Sequence, residues 1–300
     1  MKKAYGVMPP MATVWKDNEK YDEDGTLKYA EWLIDNGIHS VAVCGSTGEN
    51  ITMSPEENKM IIKSLIDGVA GRIPVYAGTG YYSTKTTVEV SQYAEKAGAD
   101  GLMVILPYYL QPYKKAVLEH FRTLRKNVSL PIMVYNNPWF AGYQLNAFEI
   151  AQLVEEGVID SIKCAHGDPC LVHELKYLCG DKITAFYGHD YNALEGLLAG
   201  ADGWLSGLPN IIPSLARKLY DSAAIEKNVD QSRAIWNKIL PLVNFSMYEK
   251  DNGCPHWLEI LKEAINMQGC HVGVPRKPLG SLTPEMRKKL EKILDQVLAG

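Results

Sequence analysis

The sequence predicts an α/β protein, a (β/α)8 TIM barrel with a C-terminal helical extension. Eight short apolar or β-branched runs alternate along the chain with longer segments of helical periodicity. The length of 300 residues suits one such barrel with additional helices. The structural alternative, an open doubly wound sheet, usually has about five or six strands. Its G-x-G-x-x-G fingerprint is absent from the first strand-to-helix turn, which favours the barrel.

The elements follow one another in a regular order. The predicted helix starts carry residues that stabilise a helix N-terminus. In Ser54-Pro55-Glu56-Glu57, for example, a serine N-cap precedes a proline at the first helical position and two acidic residues. The predicted strands are 4–8, 40–44, 74–77, 102–106, 132–135, 161–164, 184–187 and 203–206. The predicted helices are 25–36, 55–70, 84–97, 114–126, 146–156, 169–179, 191–199 and 213–224.

The last quarter of the chain has no strand candidates. Residues 226–300 are predicted to be helical, with a break at V-G-V-P-R-K-P-L-G-S-L-T-P. Because no low-complexity linker precedes this segment, we interpret it as a subdomain attached to the barrel. The predicted division is a catalytic barrel over 1–224 and a helical subdomain over 225–300.

Composition and charge exclude several functions. The 31 basic and 35 acidic residues give a net charge of −4, which offers no basic surplus for nucleic acid. No run approaches the roughly 18 uninterrupted apolar residues of a membrane span. Without an apolar signal core near the start, we expect a cytoplasmic protein. The cysteines form no C-x-x-C pair and the histidines are scattered, so we expect reduced thiols and no metal site.

Polar residues at the carboxyl ends of the strands are candidates for chemistry, because barrel active sites form there. Lys163 lies in the sixth strand, where burial would favour the neutral amine that attacks carbonyl carbon. The alternative is a lysine whose head reaches solvent at the strand end. Tyr135 ends the neighbouring strand and can transfer protons. Thr47 or Ser46 could link Tyr135 to a further hydroxyl such as that of Tyr109, although each tyrosine could also be an ordinary aromatic at the rim.

The turn G-S-T-G-E at residues 45–49 is a candidate anion site. We expect Gly45 and Gly48 to adopt positive φ values and to turn successive N–H groups into one concavity. Ser46 and Thr47 would then hold a carboxylate of a 2-oxo acid attached to Lys163. Glu49 would anchor the turn or complement a helix dipole. The alternative is an ordinary strand-to-helix connection.

These motifs together resemble those of the dihydrodipicolinate synthase / N-acetylneuraminate lyase family of Schiff-base aldolases. The resemblance extends over essentially the whole chain. Its markers are G-S-T-G-E at 45–49, P-Y-Y at 107–109, Y-N-N-P-W-F-A-G at 135–142, I-K-C-A-H-G-D at 162–168 and G-A-D-G at 200–203.

The resemblance implies roles for individual residues. Lys163 would form an imine with pyruvate or another 2-oxo acid, without a cofactor, and Tyr135 would transfer protons. Ser46 and Thr47 would hold the substrate carboxylate. Tyr109 aligns with a tyrosine that completes the proton relay from the neighbouring subunit in synthase members. Members are commonly homotetramers built as dimers of dimers.

The departures from the family bear on substrate. Synthase members carry a carboxylate-binding arginine at the position of Phe140, which an aromatic side chain cannot replace. In the lyase branch, a sugar-binding segment is matched at Gly188 and Asp190, whereas Ser206 stands one place before the expected serine. The predicted substrate-binding residues are Gly45, Ser46, Thr47, Trp139, Phe140, Gly188, His189, Asp190 and Ser206.

The leading functional interpretation is a lyase similar to N-acetylneuraminate lyase. It would cleave or form a carbon–carbon bond of a 2-keto sugar acid through an imine on Lys163. One alternative is dihydrodipicolinate synthase, which joins pyruvate and aspartate semialdehyde. Another is a dehydratase or deaminase that uses the same imine. A barrel that binds a 2-oxo acid without catalysis is the non-enzymatic alternative.

Overall fold

The protein is described by a computed structural model over residues 4–248 and 256–299. Within these residues, eight strands alternate with helices, and three helices follow at the C-terminal end. The strands are β1 Gly6–Val7, β2 Val41–Val43, β3 Val75–Gly78, β4 Gly101–Ile105, β5 Ile132–Asn136, β6 Ser161–Cys164, β7 Thr184–Tyr187 and β8 Gly203–Trp204. The helices are α1 Glu23–Asp35, α2 Pro55–Val69, α3 Thr84–Ala97, α4 Lys114–Asn127, α5 Pro138–Ala141, α6 Ala147–Glu155, α7 Cys170–Cys179, α8 Ala193–Leu198, α9 Pro213–Tyr220, α10 Val229–Tyr248, α11 Trp257–Met267 and α12 Pro284–Leu298.

All the strands are parallel and curl into a barrel. The order is β1-β8-β7-β6-β5-β4-β3-β2, so β1 and β2 lie at the two ends of the hydrogen-bonded series. The chain just after β1 closes the gap, because Pro10 pairs with Ala42 of β2. The Met11 N–H donates to the Ala42 carbonyl at 2.8 Å. The predicted (β/α)8 barrel with its C-terminal helical extension is therefore confirmed.

Local sequence explains where several elements begin and end. Helix α2 starts with a full capping box, in which the Glu57 N–H donates to Ser54 Oγ at 3.1 Å. Strand β1 is shorter than predicted, and Pro9 and Pro10, which have no N–H to donate, limit its carboxyl end. The four-residue helix α5 was not predicted, and it places the residues after β5 over the mouth of the barrel.

The core has two layers, as the alternation of side chains along the strands requires. One apolar layer lies between the strands and the surrounding helices, and the other fills the lumen. Lumen residues come from every strand or the residues beside it: Met8, Ala42, Tyr76, Met103, Ile105, Met133, Tyr135, Ala165, Phe186 and Leu205. The lumen is thus a packed core, and its upper end carries the polar residues of the site.

The C-terminal helices pack against the last part of the barrel, with α10 against α8 and α9 and α11 against the turn at residues 208–210. A single π-helical turn, Asp221–Ile225, joins α9 to α10, and the predicted boundary between residues 224 and 225 lies within it. The division into a barrel and a separate subdomain stays a prediction. Part of the predicted helical extension, residues 249–255, lies outside the described residues. No helix in the described part of the chain is both long and apolar enough to cross a membrane.

A buried ion pair joins the C-terminal helices to the barrel. Lys262 Nζ of α11 donates to Glu49 Oε1 at 2.7 Å, and both side chains are almost fully buried. The other Glu49 oxygen accepts from the Arg276 N–H at 2.7 Å, and Trp15 Nε1 donates to Glu49 Oε1 at 2.9 Å. Burial lowers the pKa of Lys262, and the charge of Glu49 opposes this shift. Glu49 therefore anchors the turn to the C-terminal segment, the first of its two predicted roles.

Removing the lysine of this pair should strongly destabilise the fold. In Lys262→Ala the buried charge of Glu49 loses its partner, and the free energy of unfolding should fall by about 3–5 kcal/mol. Urea denaturation of both proteins measures the difference. The matched control is Lys63→Ala, which breaks the solvent-exposed Lys63–Asp67 pair on α2 and should cost less than about 1 kcal/mol. Equal losses of unfolding free energy in the two variants would show that burial does not make the Lys262–Glu49 pair more important than the exposed pair.

Candidate active site

A cavity of about 310 Å³ opens at the carboxyl ends of the strands. Lys163 of β6 lies at its base and Gly188, just after β7, forms part of its wall. Apart from Gly45 and Tyr109, every predicted site residue lines this cavity: Ser46, Thr47, Tyr135, Trp139, Phe140, Lys163, Gly188, His189, Asp190 and Ser206. The fold therefore brings most of the predicted residues together, and their functional roles stay predictions.

Lys163 and Tyr135 are neighbours because their strands are in parallel register. Tyr135 of β5 pairs directly with Lys163 of β6, so both side chains point into the lumen at the same level. Lys163 Nζ lies 4.1 Å from the centroid of the Tyr135 ring. The lysine is only 4% exposed, so its head stays in the barrel and does not reach bulk solvent. A buried amine beside a phenol is suited to imine formation with proton transfer.

Asn137 holds the hydroxyl group of Tyr135. Its Nδ2 donates to Tyr135 Oη at 2.8 Å, and its Oδ1 accepts from the N–H groups of Trp139 and Phe140 at 2.9 and 3.3 Å. The expected hydroxyl link from Tyr135 to Ser46 or Thr47 is not formed among the described residues. Asn137 was missed as a functional residue, although an asparagine before Pro138 is a typical N-cap signal.

The turn at residues 45–49 differs from its predicted conformation. The left-handed residues are Cys44 and Glu49, with φ values of 54° and 63°, so the expectation of positive φ at Gly45 and Gly48 was wrong. The lack of a side chain matters most at Gly48, where a Cβ would lie 3.1 Å from the Met11 carbonyl oxygen; one on Gly45 would meet only the flexible end of Met103, at 2.7 Å from Cε.

The same turn leaves backbone donors available at the cavity. The Glu49 N–H donates to the Ser46 carbonyl, and Thr13 Oγ1 donates to the Gly48 carbonyl at 2.7 Å. Within the described residues, the amide N–H groups of Ser46 and Thr47 donate to no acceptor. Unsatisfied N–H groups held by a rigid turn form a typical binding site for a carboxylate.

Residues after β7 and β8 form the opposite wall. Asp190 Oδ2 accepts from the N–H groups of Gly207 and Leu208 at 3.0 and 3.1 Å. Burial raises the pKa of the Asp190 carboxyl, and hydrogen bonding counteracts part of that shift. His189 Nδ1 contacts Asn192 Oδ1 at 3.1 Å. Asp190 thus shapes this wall through backbone contacts, and direct recognition of substrate by either residue stays a prediction.

The C-terminal helices complete the cavity with residues that sequence reasoning missed. Val243 and Ser246 of α10 and Trp257 of α11 line it, together with Pro10 from the segment after β1. These residues carry no motif, and they reach the site only because α10 and α11 fold over the mouth of the barrel. Sequence periodicity identifies the helices but does not determine this placement.

Tyr109 lies apart from the cavity. Its side chain is 89% exposed, and its backbone is left-handed with a φ of 75°. Within its own chain Tyr109 makes no contact with Tyr135 or Lys163 among the interactions of the described residues. Its predicted role in the site of a neighbouring subunit stays a prediction.

Metal ligands are not clustered in the described part of the chain. There, no group of three or more His, Cys, Asp or Glu side chains is arranged to hold a metal ion. The described cysteines are all free thiols, and Cys170 is exposed whereas the others are buried: Cys44, Cys164, Cys179 and Cys270. Cys254 lies outside the described residues.

Comparisons with known proteins point consistently to one family. The model of the dihydrodipicolinate synthetase family matches residues 3–297. A 4-hydroxy-tetrahydrodipicolinate synthase of Caldicellulosiruptor saccharolyticus is 34% identical over 95% of this chain and 94% of its own. A dihydrodipicolinate synthase structure from Aquifex aeolicus has a TM-score of 0.90 at 28% identity and covers 98% of both chains. The pyruvate complex of a chloride-inhibited synthase from Acinetobacter baumannii has a TM-score of 0.89 at 31% identity and also covers 98% of both chains.

Gly188 tests the positioning of Lys163. A Cβ at this glycine would lie 2.8 Å from Lys163 Cγ, 2.9 Å from Cε and 3.2 Å from the Cys164 carbonyl oxygen, so Gly188→Ala should displace the lysine. We expect the rate of pyruvate adduct formation, trapped with borohydride and measured by mass spectrometry, to fall by about tenfold or more.

The matched control is Gly280→Ala, where the nearest atom to a Cβ is 3.8 Å away. It should keep the adduct rate of the unmodified protein, and both variants should keep its circular dichroism spectrum. A normal rate in Gly188→Ala would show that the lysine has more freedom than these contacts allow.

Proposed function

Because the chain belongs to the dihydrodipicolinate synthetase family, we propose that it joins pyruvate to an aldehyde through an imine on Lys163. The observation that carries this proposal is the buried Lys163 amine beside the Tyr135 ring. No other lysine or arginine among the described residues lines this cavity. A lysine in that setting is suited to nucleophilic attack on a carbonyl carbon.

Each neighbouring group has a place in the proposed reaction. The Ser46 and Thr47 N–H groups hold the pyruvate carboxylate, which directs the keto carbon toward Lys163. Water leaves as the imine forms, and Tyr135 transfers the protons that this step requires. Loss of a methyl proton then gives an enamine, a carbon nucleophile. Asn137 acts as a positioning residue, because it fixes the direction of the Tyr135 hydroxyl.

The relatives favour the synthase alternative over the leading interpretation from sequence. The relative from Caldicellulosiruptor saccharolyticus is named as a 4-hydroxy-tetrahydrodipicolinate synthase, and cleavage of a sugar acid in the manner of N-acetylneuraminate lyase stays unconfirmed. We therefore propose carbon–carbon bond formation as the main activity. Condensation of pyruvate with aspartate semialdehyde is the first activity to assay.

Phe140 favours a second candidate within the same chemistry. It stands where the resemblance predicts a carboxylate-binding arginine, and its side chain lines the cavity. A phenyl ring cannot form the paired hydrogen bonds that a guanidinium donates to a carboxylate. An aldehyde other than aspartate semialdehyde is therefore the second candidate.

We also propose a homotetramer built as a dimer of dimers. A surface around the exposed Tyr109 is rich in large side chains, since Leu110 and Tyr113 are 62% and 90% exposed. Such a surface is typical of an interface between subunits. In this arrangement Tyr109 would reach the site of the neighbouring subunit. The cytoplasmic location expected from the sequence stays a prediction.

Pyruvate and borohydride test the imine directly. Reduction should leave a stable adduct on Lys163, detected by peptide mass spectrometry, and Lys163→Ala should give none. Lys176→Ala is the matched control, because Lys176 is a part-buried lysine paired with Asp202 away from the cavity. Reversible pyruvate binding without an adduct would support the non-catalytic alternative. Release of water or ammonia from a 2-oxo acid, without aldehyde, would instead support the dehydratase or deaminase.

Mixing of variants tests the role of Tyr109. Tyr109→Phe and Lys163→Ala should each lose most turnover, by about a hundredfold or more, as expected for proton-transfer and nucleophilic groups. When the two are denatured together and refolded as mixed oligomers, some sites combine an intact Lys163 with an intact Tyr109 from the neighbour. Activity should then recover partly, and light scattering should give the mass of a tetramer. Absence of recovery in a mixed tetramer would show that Tyr109 does not act across subunits.

A further inference from the structure

The base of the barrel, at the amino ends of the strands, repeats one pair of hydrogen bonds four times within the described residues. A residue just before each even-numbered strand donates its backbone N–H to a carbonyl of the preceding odd-numbered strand. Its side chain accepts the N–H of the same strand residue. The four pairs are His39 with Val7, Asp100 with Val75, Asp160 with Ile132 and Asp202 with Ala185. Three of the side-chain acceptors are carboxyl oxygens, and the fourth is an imidazole nitrogen.

The exchange of aspartate for His39 is visible in the sequence. The stretch I-H-S-V at 38–41 corresponds to A-D-G-L at 99–102, I-D-S-I at 159–162 and A-D-G-W at 201–204. A carboxyl group keeps an acceptor oxygen whether or not it is protonated, whereas a protonated imidazole has only donors. Among the four pairs, only the one at His39 can therefore lose its acceptor by gaining a proton.

The proton of the neutral His39 ring has a defined position. The Val7 N–H donates to His39 Nδ1 at 3.0 Å, so Nδ1 must carry a lone pair and the ring proton is on Nε2. The His39 N–H donates back to the Val7 carbonyl at 3.0 Å. A second proton on the ring would place an N–H group directly against the N–H of Val7.

The pair at His39 lies where the barrel has the fewest strand-to-strand bonds. The other three pairs join strands that also share a parallel ladder, namely β3 with β4, β5 with β6 and β7 with β8. Strands β1 and β2 share no ladder in the described chain. The β1–β2 seam, the contacts of residues 7–11 with residues 39–42, consists of the His39 pair and the bonds of Pro9 and Met11 with Ala42. Loss of one bond therefore weakens this seam more than the others.

The groups packed around His39 favour its neutral form. The rings of Tyr5 and Tyr220 lie 5.2 and 5.3 Å from the His39 ring, and burial raises the pKa of Tyr220 to about 12, so that side chain is uncharged. Arg217 of α9 and Asp221 of the following turn pair with each other at 2.7 Å. Burial lowers the pKa of His39, the charge of Arg217 adds to this shift, and the charge of Asp221 opposes it.

We propose that His39 is an acid-sensitive latch of the β1–β2 seam. A proton on Nδ1 leaves the Val7 N–H without an acceptor and loosens strand β1. Because the pKa of His39 is lowered in the fold, the latch contributes its full stabilisation above the ordinary histidine pKa of about 6.5. That contribution is lost as the pH falls from there through the lowered value.

Strand β1 connects the latch to the cavity at the opposite end of the barrel. The chain leaving β1 contains Pro10, which lines the cavity of Lys163. It also contains Thr13, whose Oγ1 donates to the Gly48 carbonyl in the turn at residues 45–49. Loosening of β1 therefore removes support from both. The latch does not depend on the proposed condensation, because it acts in the protein without substrate.

Amide hydrogen exchange of the unmodified, full-length protein tests the latch. Mass spectrometry of peptides that span the odd-numbered strands gives the protection of each strand at pH 7 and at pH 5, corrected for the intrinsic exchange rate. We expect the protection of β1 to fall by about fivefold or more at pH 5, since one proton can shift the opening equilibrium by up to about tenfold per pH unit. The peptides of β3, β5 and β7 are internal controls and should keep their protection, because carboxyl oxygens are their acceptors.

His39→Asn separates the latch from other effects of acid. The asparagine amide oxygen can accept the Val7 N–H as an aspartate oxygen does in the other three pairs, and it gains no proton in this pH range. The protection of β1 in this variant should be the same at pH 5 and at pH 7. His173→Asn is the matched control, because His173 is exposed on α7. It should show the same loss of β1 protection at pH 5 as the unmodified protein.

His39→Asp is a second variant without the imidazole, and it carries the residue of the other three pairs. It should behave as His39→Asn does. A loss of β1 protection at pH 5 that is equal in the unmodified protein and in either variant would overturn the latch, because another group would then be titrating. Constant β1 protection in the unmodified protein would overturn it without any variant. A loss confined to β1 and abolished by either variant would support it.

Discussion

The buried Glu49–Lys262 pair is the contact on which the rest of the site depends. It joins the turn after β2 to α11, two parts of the chain separated by more than two hundred residues, at 2.7 Å. Removing two charges from water costs free energy. The buried pair is therefore stable only when the remaining hydrogen-bonding atoms of both groups also have partners. Trp15, the Arg276 N–H and the Thr13 carbonyl supply those contacts. The same carboxylate that holds the C-terminal helices belongs to Glu49, the left-handed residue that ends the turn at residues 45–49.

The reactive part of the site follows from barrel geometry. Parallel register places Tyr135 beside Lys163, and the strand alternation turns both side chains into the lumen. Gly188 leaves room for the lysine stem, while Asn137 directs the tyrosine hydroxyl. The strands hold the Lys163 and Tyr135 side chains next to each other, and the loops that follow the strands line the cavity and determine which molecules can enter it.

Phe140 shows where membership of a family stops predicting substrate. The overall likeness to synthases extends over nearly the whole chain, yet Phe140 stands where the resemblance predicts a carboxylate-binding arginine. Helix α5, which carries Phe140, is only four residues long and is held by the Asn137 cap. A single substitution at this position can change the cavity wall without disturbing the barrel, because the helix packs at the rim and not in the lumen.

The sequence by itself determined the barrel, the order of its elements and most of the cavity, because strand alternation and the parallel arrangement fix where strand ends meet. For the same reason it predicted that Lys163, Tyr135 and the turn at 45–49 meet, and these residues line one cavity. Only the tertiary structure decided the partners of Glu49, the contribution of Trp257 and the orientation of Tyr135 by Asn137. It also showed that the left-handed residues are Cys44 and Glu49 and not the glycines. These features arise from packing between distant segments, which local propensity and motif spacing do not encode.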